Sequence, residues 1–430
     1  MDEGEARREA SEPSAEDTGQ AAADPADTPE RPVPTPYPRS ADPAPADPPR
    51  RLRRVLRGAT RTAVALLSVS ALAATGFAYT TLDQLQDNVQ TTDALQQNHG
   101  EEHVAPPPPE DDGATDILLV GADSRTDMRG NPLPLDMLKE LRTESKDGVN
   151  TDTLIILRIP KDGGKPAAVS IPRDTWVDVP QGGQAKINSA YGAAKVAATT
   201  RLRAEGMTDS AEVERESNQA GRRALVAAVQ DFTQVRIDHY AEVNLLGFYL
   251  LTEALGGVEV CLNHATVDKD SGANFAAGPQ VVSGGEALSF VRQRKNLPRG
   301  DLDRIVRQQV FLSSALKQVL SAGTLTSPDR LDRLTETVYR SLVLDPDLDL
   351  LRFAEQAEGI ASGDIEFVTI PVVQVGARSA DGQSIITVDV GQVRTFVDGL
   401  VSPVTQQQGG GSAPAGRPEL LAAASVPCVN

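Results

Sequence analysis

Thr62 to Leu82 (TAVALLSVSALAATGFAYTTL) is a run of 21 residues without one charged side chain. As a helix rising ~1.5 Å per residue, such a run spans a bilayer core of roughly 30 Å. It therefore divides the chain. Six arginines lie between Arg50 and Arg61, just before the run, and Asp83, Asp87 and Asp93 follow it. The positive-inside rule puts residues 1–61 in the cytoplasm, as a disordered tail rich in Pro, Ala, Asp and Glu that ends in the basic cluster. Everything after Leu82 then lies outside. A cleaved signal peptide and a buried core helix are the alternatives, and the long preceding tail and the length of the run disfavour both. The expectation is a single-pass protein of the cell membrane with its folded part extracellular.

Beyond the 62–82 anchor, residues 83–113 read as a stalk ending in VAPPPPEDDGA, whose proline run is extended and stiff. The folded domain is expected over 114–403 and a flexible tail over 404–430. Within the domain, ATDILLVGA, TDTLIILRIP and AAVSIP read as strands. The last two are joined by KDGGK, a hairpin turn, so they run antiparallel. GRRALVAAVQDF and LGFYLLTEALGG are helical and VEVCL is a further strand. Leu302–Leu320 is a helix with an apolar stripe. Helices alternate with strands as far as about Leu400, which predicts an α/β fold: a three-layer α/β/α sandwich around a mixed central sheet.

Composition removes several functions. The formal net charge of −18 and a pI near 4.7 exclude a general nucleic-acid binder, since phosphates would be repelled over most of the surface. Two cysteines with no CxxC argue against a zinc site, and four histidines far from any GxSxG-like turn argue against a serine hydrolase.

Against that acidic background, FVRQRKNLPRGDLDRIVRQQ (Phe290–Gln309) carries six basic residues and two aspartates. On an extended chain Arg292 and Arg294 face one side, and Arg304 and Gln308 share a helix face. Arg307 points elsewhere and is expected to be solvated. Guanidinium forks grip phosphate oxygens bidentately, so this grouping suits a multiply charged oxyanion. The alternative is a surface stripe paired with Asp301 and Asp303. The strand ends add charges. GADSR puts Asp123 and Arg125 past strand one, NTDT puts Asp152 at the start of strand two, and IPRD puts Arg173 and Asp174 past strand three. The hairpin makes Asp152 and Arg173 neighbours, and Asp123 joins them if strand one is antiparallel to strand two. Two such carboxylates suit Mg²⁺ or Mn²⁺ bridging to phosphates. No Walker A sequence or kinase-like glycine loop is present.

These motifs, ILLVGADSR, NTDTLIIL, VSIPRDTWVDVP, KINSAY, GGVEVCL and FVRQR…GDLDRIVRQQ, resemble in order those of the LytR–CpsA–Psr family of bacterial cell-wall enzymes, over roughly 115–320. The Ala-, Arg- and Pro-rich composition points to an actinobacterial type. The resemblance implies a phosphotransferase that moves a glycopolymer from a polyprenyl-pyrophosphate carrier to peptidoglycan and releases polyprenyl phosphate. It implies Asp123 and Asp152 as the Mg²⁺-associated acids, with Arg173 among the catalytic groups. Arg125, Arg173, Arg292, Arg294, Arg304 and Gln308 would then hold the pyrophosphate. Either carboxylate could take the acceptor's proton, with Asp152 preferred. Lys186 and Asn188 would stand at the rim, and a long apolar tunnel would take the prenyl chain. The segment between GADSR and NTDT looks longer than the minimal family loop and would shape the acceptor side. Cys261 and Cys428 would both lie outside the membrane, where a disulfide between them would pin the tail to the domain; two free thiols are the alternative. A polyprenyl-pyrophosphate hydrolase and a non-catalytic lipid-glycan binding or regulatory protein remain the competing readings.

Overall fold

In a computed structural model, the structure describes residues 90–96, 108, 111–143, 150–319, 337, 341–348, 365–401 and 426–430. The expected tail over 1–61 and anchor over 62–82 lie outside the described residues. Among the described residues no helix is long and apolar enough to cross a membrane.

The elements in chain order are β1 (Gln90–Thr91), β2 (Ala114–Ala122), α1 (Leu135–Glu140), β3 (Thr151–Pro160), β4 (Ala167–Ser170), β5 (Trp176–Asp178) and β6 (Gln184–Lys186). Then come α2 (Ser189–Ala204), α3 (Ser210–Thr233), β7 (His239–Asn244), α4 (Leu245–Ala254), β8 (Val258–Leu262), β9 (Thr266–Asp268), β10 (Ala273–Phe275) and β11 (Gly278–Val282). They are followed by α5 (Gly284–Arg292), α6 (Asp301–Val319), β12 (Leu342–Leu344), β13 (Glu366–Thr369), β14 (Gln374–Arg378), β15 (Ser384–Thr387), α7 (Val390–Asp398) and β16 (Cys428–Val429).

The central sheet is mixed, with strand order β1-β12-β7-β2-β3-β4-β13. β2 pairs antiparallel with β3 and parallel with β7, and β3 pairs antiparallel with β4. Alternation along β2 sends its side chains to opposite faces. Leu118 and Val120 join Leu225, Val229 and Phe232 of α3 and Val393 and Val397 of α7 in one core. Ile117, with Ile155 and Leu157 of β3, packs on the other face against Leu312 and Leu316 of α6. Helices thus cover both faces.

Local signals fix the helix starts. Asp209 accepts hydrogen bonds from the amides of Ala211 and Glu212 at the head of α3. Asn244 does the same for Gly247 at the head of α4. Gly247 is required there by close approach: a Cβ would come within 2.3 Å of the Ser341 carbonyl oxygen. Under the sheet, Arg222 of α3 makes a two-pronged pair with Glu242 of β7 at 3.0 and 2.9 Å, and Tyr240 donates its hydroxyl to the same carboxylate.

A second, smaller sheet has the order β11-β8-β16 and shares its core with Phe290 of α5 and Phe311 of α6. Here the end of the tail expected over 404–430 meets the domain, as a Cys261–Cys428 disulfide would require. Residues 426–430 are ordered against the domain, with β16 parallel to β8 and Cys428 disulfide-bonded to Cys261. Within the expected stalk over 83–113, the described residues also meet the domain. β1 extends the central sheet beside β12, Arg223 reaches Asp93 at 2.7 Å, and Asp112 pairs with the buried Arg158. Both segments are too short to carry a strand period, and each is held by partners distant in sequence. Phe290–Arg294, read as extended, is the end of α5 as far as Arg292.

Candidate anion site

Three strand ends and one helix–turn–helix converge on the site. β2 ends in a register irregularity between Gly121 and Ala122, after which the Asp123 amide donates to the Asn150 carbonyl at 3.0 Å. Asp123 therefore stays beside the start of β3, where Asp152 is the second residue. On the other side of β3, the Ile171 amide donates to the Leu154 carbonyl at 2.9 Å, and the chain then turns through Pro172–Thr175. That turn delivers Arg173 onto Asp152, and the two form an ion pair.

From Arg173 the charges continue as a chain of contacts. Asp174 accepts Lys186 Nζ at 3.0 Å and Arg294 Nη2 at 3.2 Å. Arg294 Nε lies 3.3 Å from Asp301, and Arg304 Nη2 lies 2.8 Å from the same carboxylate oxygen. On the opposite flank, Arg125 donates to the Asp123 carbonyl at 3.0 Å and to the Thr143 hydroxyl at 2.5 Å. Arg292 reaches the Leu141 carbonyl at 3.5 Å.

Electrostatics ties these groups into one site. Burial would raise the Asp152 carboxyl, but Arg173, Arg304 and Arg292 outweigh it and hold it below the ordinary carboxylate range. Asp123 goes the other way. Burial and the charge of Asp152 push it up, against Arg125 and Arg292. Arg304 is buried, and desolvation brings its pKa down to about 10, with Arg173 and Arg294 adding to the fall and Asp301 and Asp152 opposing it. It remains a cation at neutral pH. Arg125 Nη1 also lies 3.4 Å from Asp123 Oδ1, while the Nε atoms of Arg173 and Arg304 are buried without a hydrogen-bond partner. Cations outnumber carboxylates across the cluster, and buried guanidinium donors left unfilled suit an oxyanion.

The structure thus gathers Asp123, Asp152, Arg125, Arg173, Arg292, Arg294 and Arg304. Gln308 shares the helix with Arg304, but its amide donates to the Val291 carbonyl at 3.1 Å and so braces the end of α5. Lys186 stands on Asp174. Asn188 is buried, its amide donating to the Arg173 carbonyl at 3.3 Å. Arg307 is a correction. Expected in solvent, it is 0% exposed, 5.1 Å over the Phe290 ring, and bonded to Gln293 at 2.7 Å and to the Asn430 main-chain oxygen. The small sheet, completed by a strand from the far end of the chain, covers the helix face that looked free. Asp301 and Asp303 do pair with arginines, as the stripe alternative supposed, yet both are buried rather than superficial. Thr143 and Leu141 were missed, since nothing in their residue types marks them.

The model of the LytR_cpsA_psr family matches residues 78–399. The chain belongs to this family. All the site residues gathered above fall inside the LytR_cpsA_psr match. The chain is 47% identical over 336 residues to the Cell wall biosynthesis protein LcpA of Corynebacterium glutamicum, covering 78% of this chain and 64% of that protein. It therefore spans just under two thirds of the length of that relative. It is 31% identical over 255 residues to the Polyisoprenyl-teichoic acid–peptidoglycan teichoic acid transferase TagU of Oceanobacillus iheyensis, covering 59% and 67%. Among solved structures, the LytR-Csp2A-Psr enzyme from Actinomyces oris superposes with a TM-score of 0.49 at 15% identity, covering 74% of this chain and 97% of that one.

A divalent metal can be tested against the donor set of this LytR_cpsA_psr site. Among the described residues no three or more acidic, histidine or cysteine groups are placed to cage a metal ion. Mg²⁺ does not need such a cage; it is held by one or two carboxylates together with waters and substrate phosphates. Asp123 and Asp152, two carboxylates close enough that the charge of Asp152 raises Asp123, fit that mode.

Proposed function

We propose that this chain is a membrane-anchored phosphotransferase that moves a glycopolymer from a polyprenyl-pyrophosphate carrier to peptidoglycan. The observation that carries the reading is the buried Arg304 and the part-buried Arg173, whose Nε atoms are buried without a hydrogen-bond partner close to the anionic Asp152. Two phosphates in series bring more acceptor oxygens and more negative charge to this cluster of arginines than a lone carboxylate does. The printed names of the LcpA and TagU relatives, cell wall biosynthesis and teichoic acid transfer to peptidoglycan, support the substrate class.

In this reading Arg125 and Arg292 bind the pyrophosphate from one flank and Arg173, Arg294 and Arg304 from the other. A hydroxyl of the acceptor attacks the phosphorus that carries the glycan. The bond from that phosphorus to the bridging oxygen breaks, and polyprenyl phosphate leaves with the electron pair. The glycan remains joined to the acceptor through one phosphodiester, and the acceptor's proton passes to a carboxylate. Asp152 is the carboxylate preferred from the sequence for that role. Asp123 and Asp152 would hold Mg²⁺ or Mn²⁺, which supplies neutralisation of phosphate charge. The arginines preceding the 62–82 run support a cytoplasmic N-terminus and an external site, where a lipid-linked donor takes the place of ATP.

The test incubates the full chain with a polyprenyl-pyrophosphate glycan, Mg²⁺ and peptidoglycan oligomers and identifies the products by mass spectrometry. A glycan–phosphate–peptidoglycan adduct that disappears in Asp152→Ala is the expected result. Polyprenyl phosphate with a free glycan phosphate, and no adduct on any peptidoglycan acceptor, would replace transfer by hydrolysis.

A further inference from the structure

Arg125 and Arg292 come from distant parts of the sequence, yet both are held by one short turn. Arg125 gives Nη2 to the Thr143 hydroxyl at 2.5 Å and Nε to the Thr143 carbonyl at 3.4 Å. Arg292 gives Nη1 to the Leu141 carbonyl at 3.5 Å. The residue between them, Arg142, takes a left-handed φ of 53°, which costs a residue with a Cβ and persists only where its surroundings enforce it.

The enforcement is visible. The Arg142 guanidinium bonds the Gly272 carbonyl at 2.5 Å and the Ser289 hydroxyl of α5 at 2.9 Å. Two glycines make room for this docking. A Cβ on Gly272 would stand 2.6 Å from Arg142 Cδ, and one on Gly285 would stand 2.4 Å from the Glu140 carbonyl oxygen. Leu141 is fully buried with Leu245 and Leu288, and Thr143 is 4% exposed. The turn is therefore seated on α5, the helix that ends in Arg292, while its last residue reaches Arg125.

We propose that the Leu141–Thr143 turn is a positioning device for the anion site, with Thr143 as the positioning residue for Arg125. It presents the Arg125 and Arg292 guanidiniums as one fixed pair to the phosphates of the donor. The proposal rests on the reading of the site as a pyrophosphate clamp. Thr143 makes no contribution to the chemistry itself. It takes Nη2 and Nε of Arg125 while the Asp123 carbonyl takes Nη1, and the Nη2 bond fixes the plane of the guanidinium before the ligand arrives. The turn belongs to the long segment between GADSR and NTDT, which gives that insertion a definite task.

Calorimetric titration of the full chain with inorganic pyrophosphate tests this. Thr143→Val keeps the shape and removes the hydroxyl; Thr143→Ser keeps the hydroxyl and removes the methyl. A hydrogen bond to a charged group predicts a Kd raised about tenfold or more in Thr143→Val and within about threefold of wild type in Thr143→Ser, both melting as wild type does. The reverse order, Val tolerated and Ser impaired, means that Thr143 only packs and overturns the proposal. So does wild-type affinity in both. Arg173→Gln separates this claim from the one beneath it. If it loses pyrophosphate while Thr143→Val does not, the clamp stands and the positioning role falls. If wild type and Arg173→Gln bind alike, or neither binds, the clamp reading fails and the turn's role goes with it.

Discussion

Arg304 and Asp301, one turn apart on α6, form an ion pair of 2.8 Å in which both side chains are almost wholly removed from solvent. Such a pair gains little over well-packed apolar residues, but removing one partner strands the other charge. Asp301→Ala therefore leaves Arg304 without its nearest carboxylate and Arg294 without one of its two. The expected cost is about 3–5 kcal/mol of unfolding free energy, read by urea denaturation. A loss under about 1 kcal/mol would show that the pair is solvated in solution.

The same reasoning applies beneath the central sheet, away from the site. Arg222→Met alone leaves Glu242 buried with only the Tyr240 hydroxyl, and the expected loss is again about 3–5 kcal/mol. The double change Arg222→Met with Glu242→Leu is expected to recover most of that loss. Equal destabilisation in the single and double variants would show that the pair makes no coupled contribution.

Gly247 carries a purely steric prediction. Gly247→Ala drives a Cβ to within 2.3 Å of the Ser341 main-chain oxygen, which cannot rotate away as a side chain can. Helix propensity alone favours Ala by about 1 kcal/mol, so the sign of the change decides which effect wins. The backbone clash predicts net destabilisation of about 1–3 kcal/mol and a lower Tm. A raised Tm would mean that the α4 head and the β12 approach separate freely.

His239 offers a pH test outside the cation cluster. Burial lowers its pKa, but the hydrogen bond to Asp345 at 3.2 Å and the charges of Asp345 and Asp238 outweigh that and raise it. A raised folded pKa means that the folded state holds the proton more tightly than the unfolded chain. The stabilisation is full below the ordinary imidazole value near 6.5 and is lost as pH rises through the folded pKa. Asp345→Asn should lower the His239 pKa in an NMR titration and flatten the dependence of stability on pH over that window. An unmoved His239 pKa would contradict the assignment.

Much of this architecture is legible in the residues themselves. Apolar runs such as ATDILLVGA and TDTLIILRIP, joined to AAVSIP by a glycine turn, can only pair as a hairpin-rich sheet. The hairpin makes Asp152 and Arg173 neighbours, and the antiparallel pairing of β2 with β3, which the sequence left open, adds Asp123. Arg292, Arg294 and Arg304 stand out because six basic residues crowd one short stretch of an acidic chain. What escaped was whatever depended on distant partners. Arg307 has the residue type and helical phase of a solvated side chain, yet Phe290, Gln293 and the distant Asn430 take it up. Arg292 ends a helix rather than lying on a strand, because the buried Phe290 and Val291 follow the α5 period into the small core. Thr143 was invisible for the opposite reason. It touches Arg125 through a turn set by a strained Arg142, and no local pattern encodes that conformation.

The central claim is that the buried guanidiniums grip a pyrophosphate. Its most direct test is equilibrium binding of the full chain to a polyprenyl-pyrophosphate glycan and to the matching polyprenyl-monophosphate glycan, in wild type and Arg304→Gln. The account predicts that wild type prefers the pyrophosphate by about tenfold or more. Arg304→Gln should lose about 2–5 kcal/mol of that binding, on the order of thirtyfold or more in Kd. Equal affinity for the two lipids, unchanged by the substitution, would contradict it.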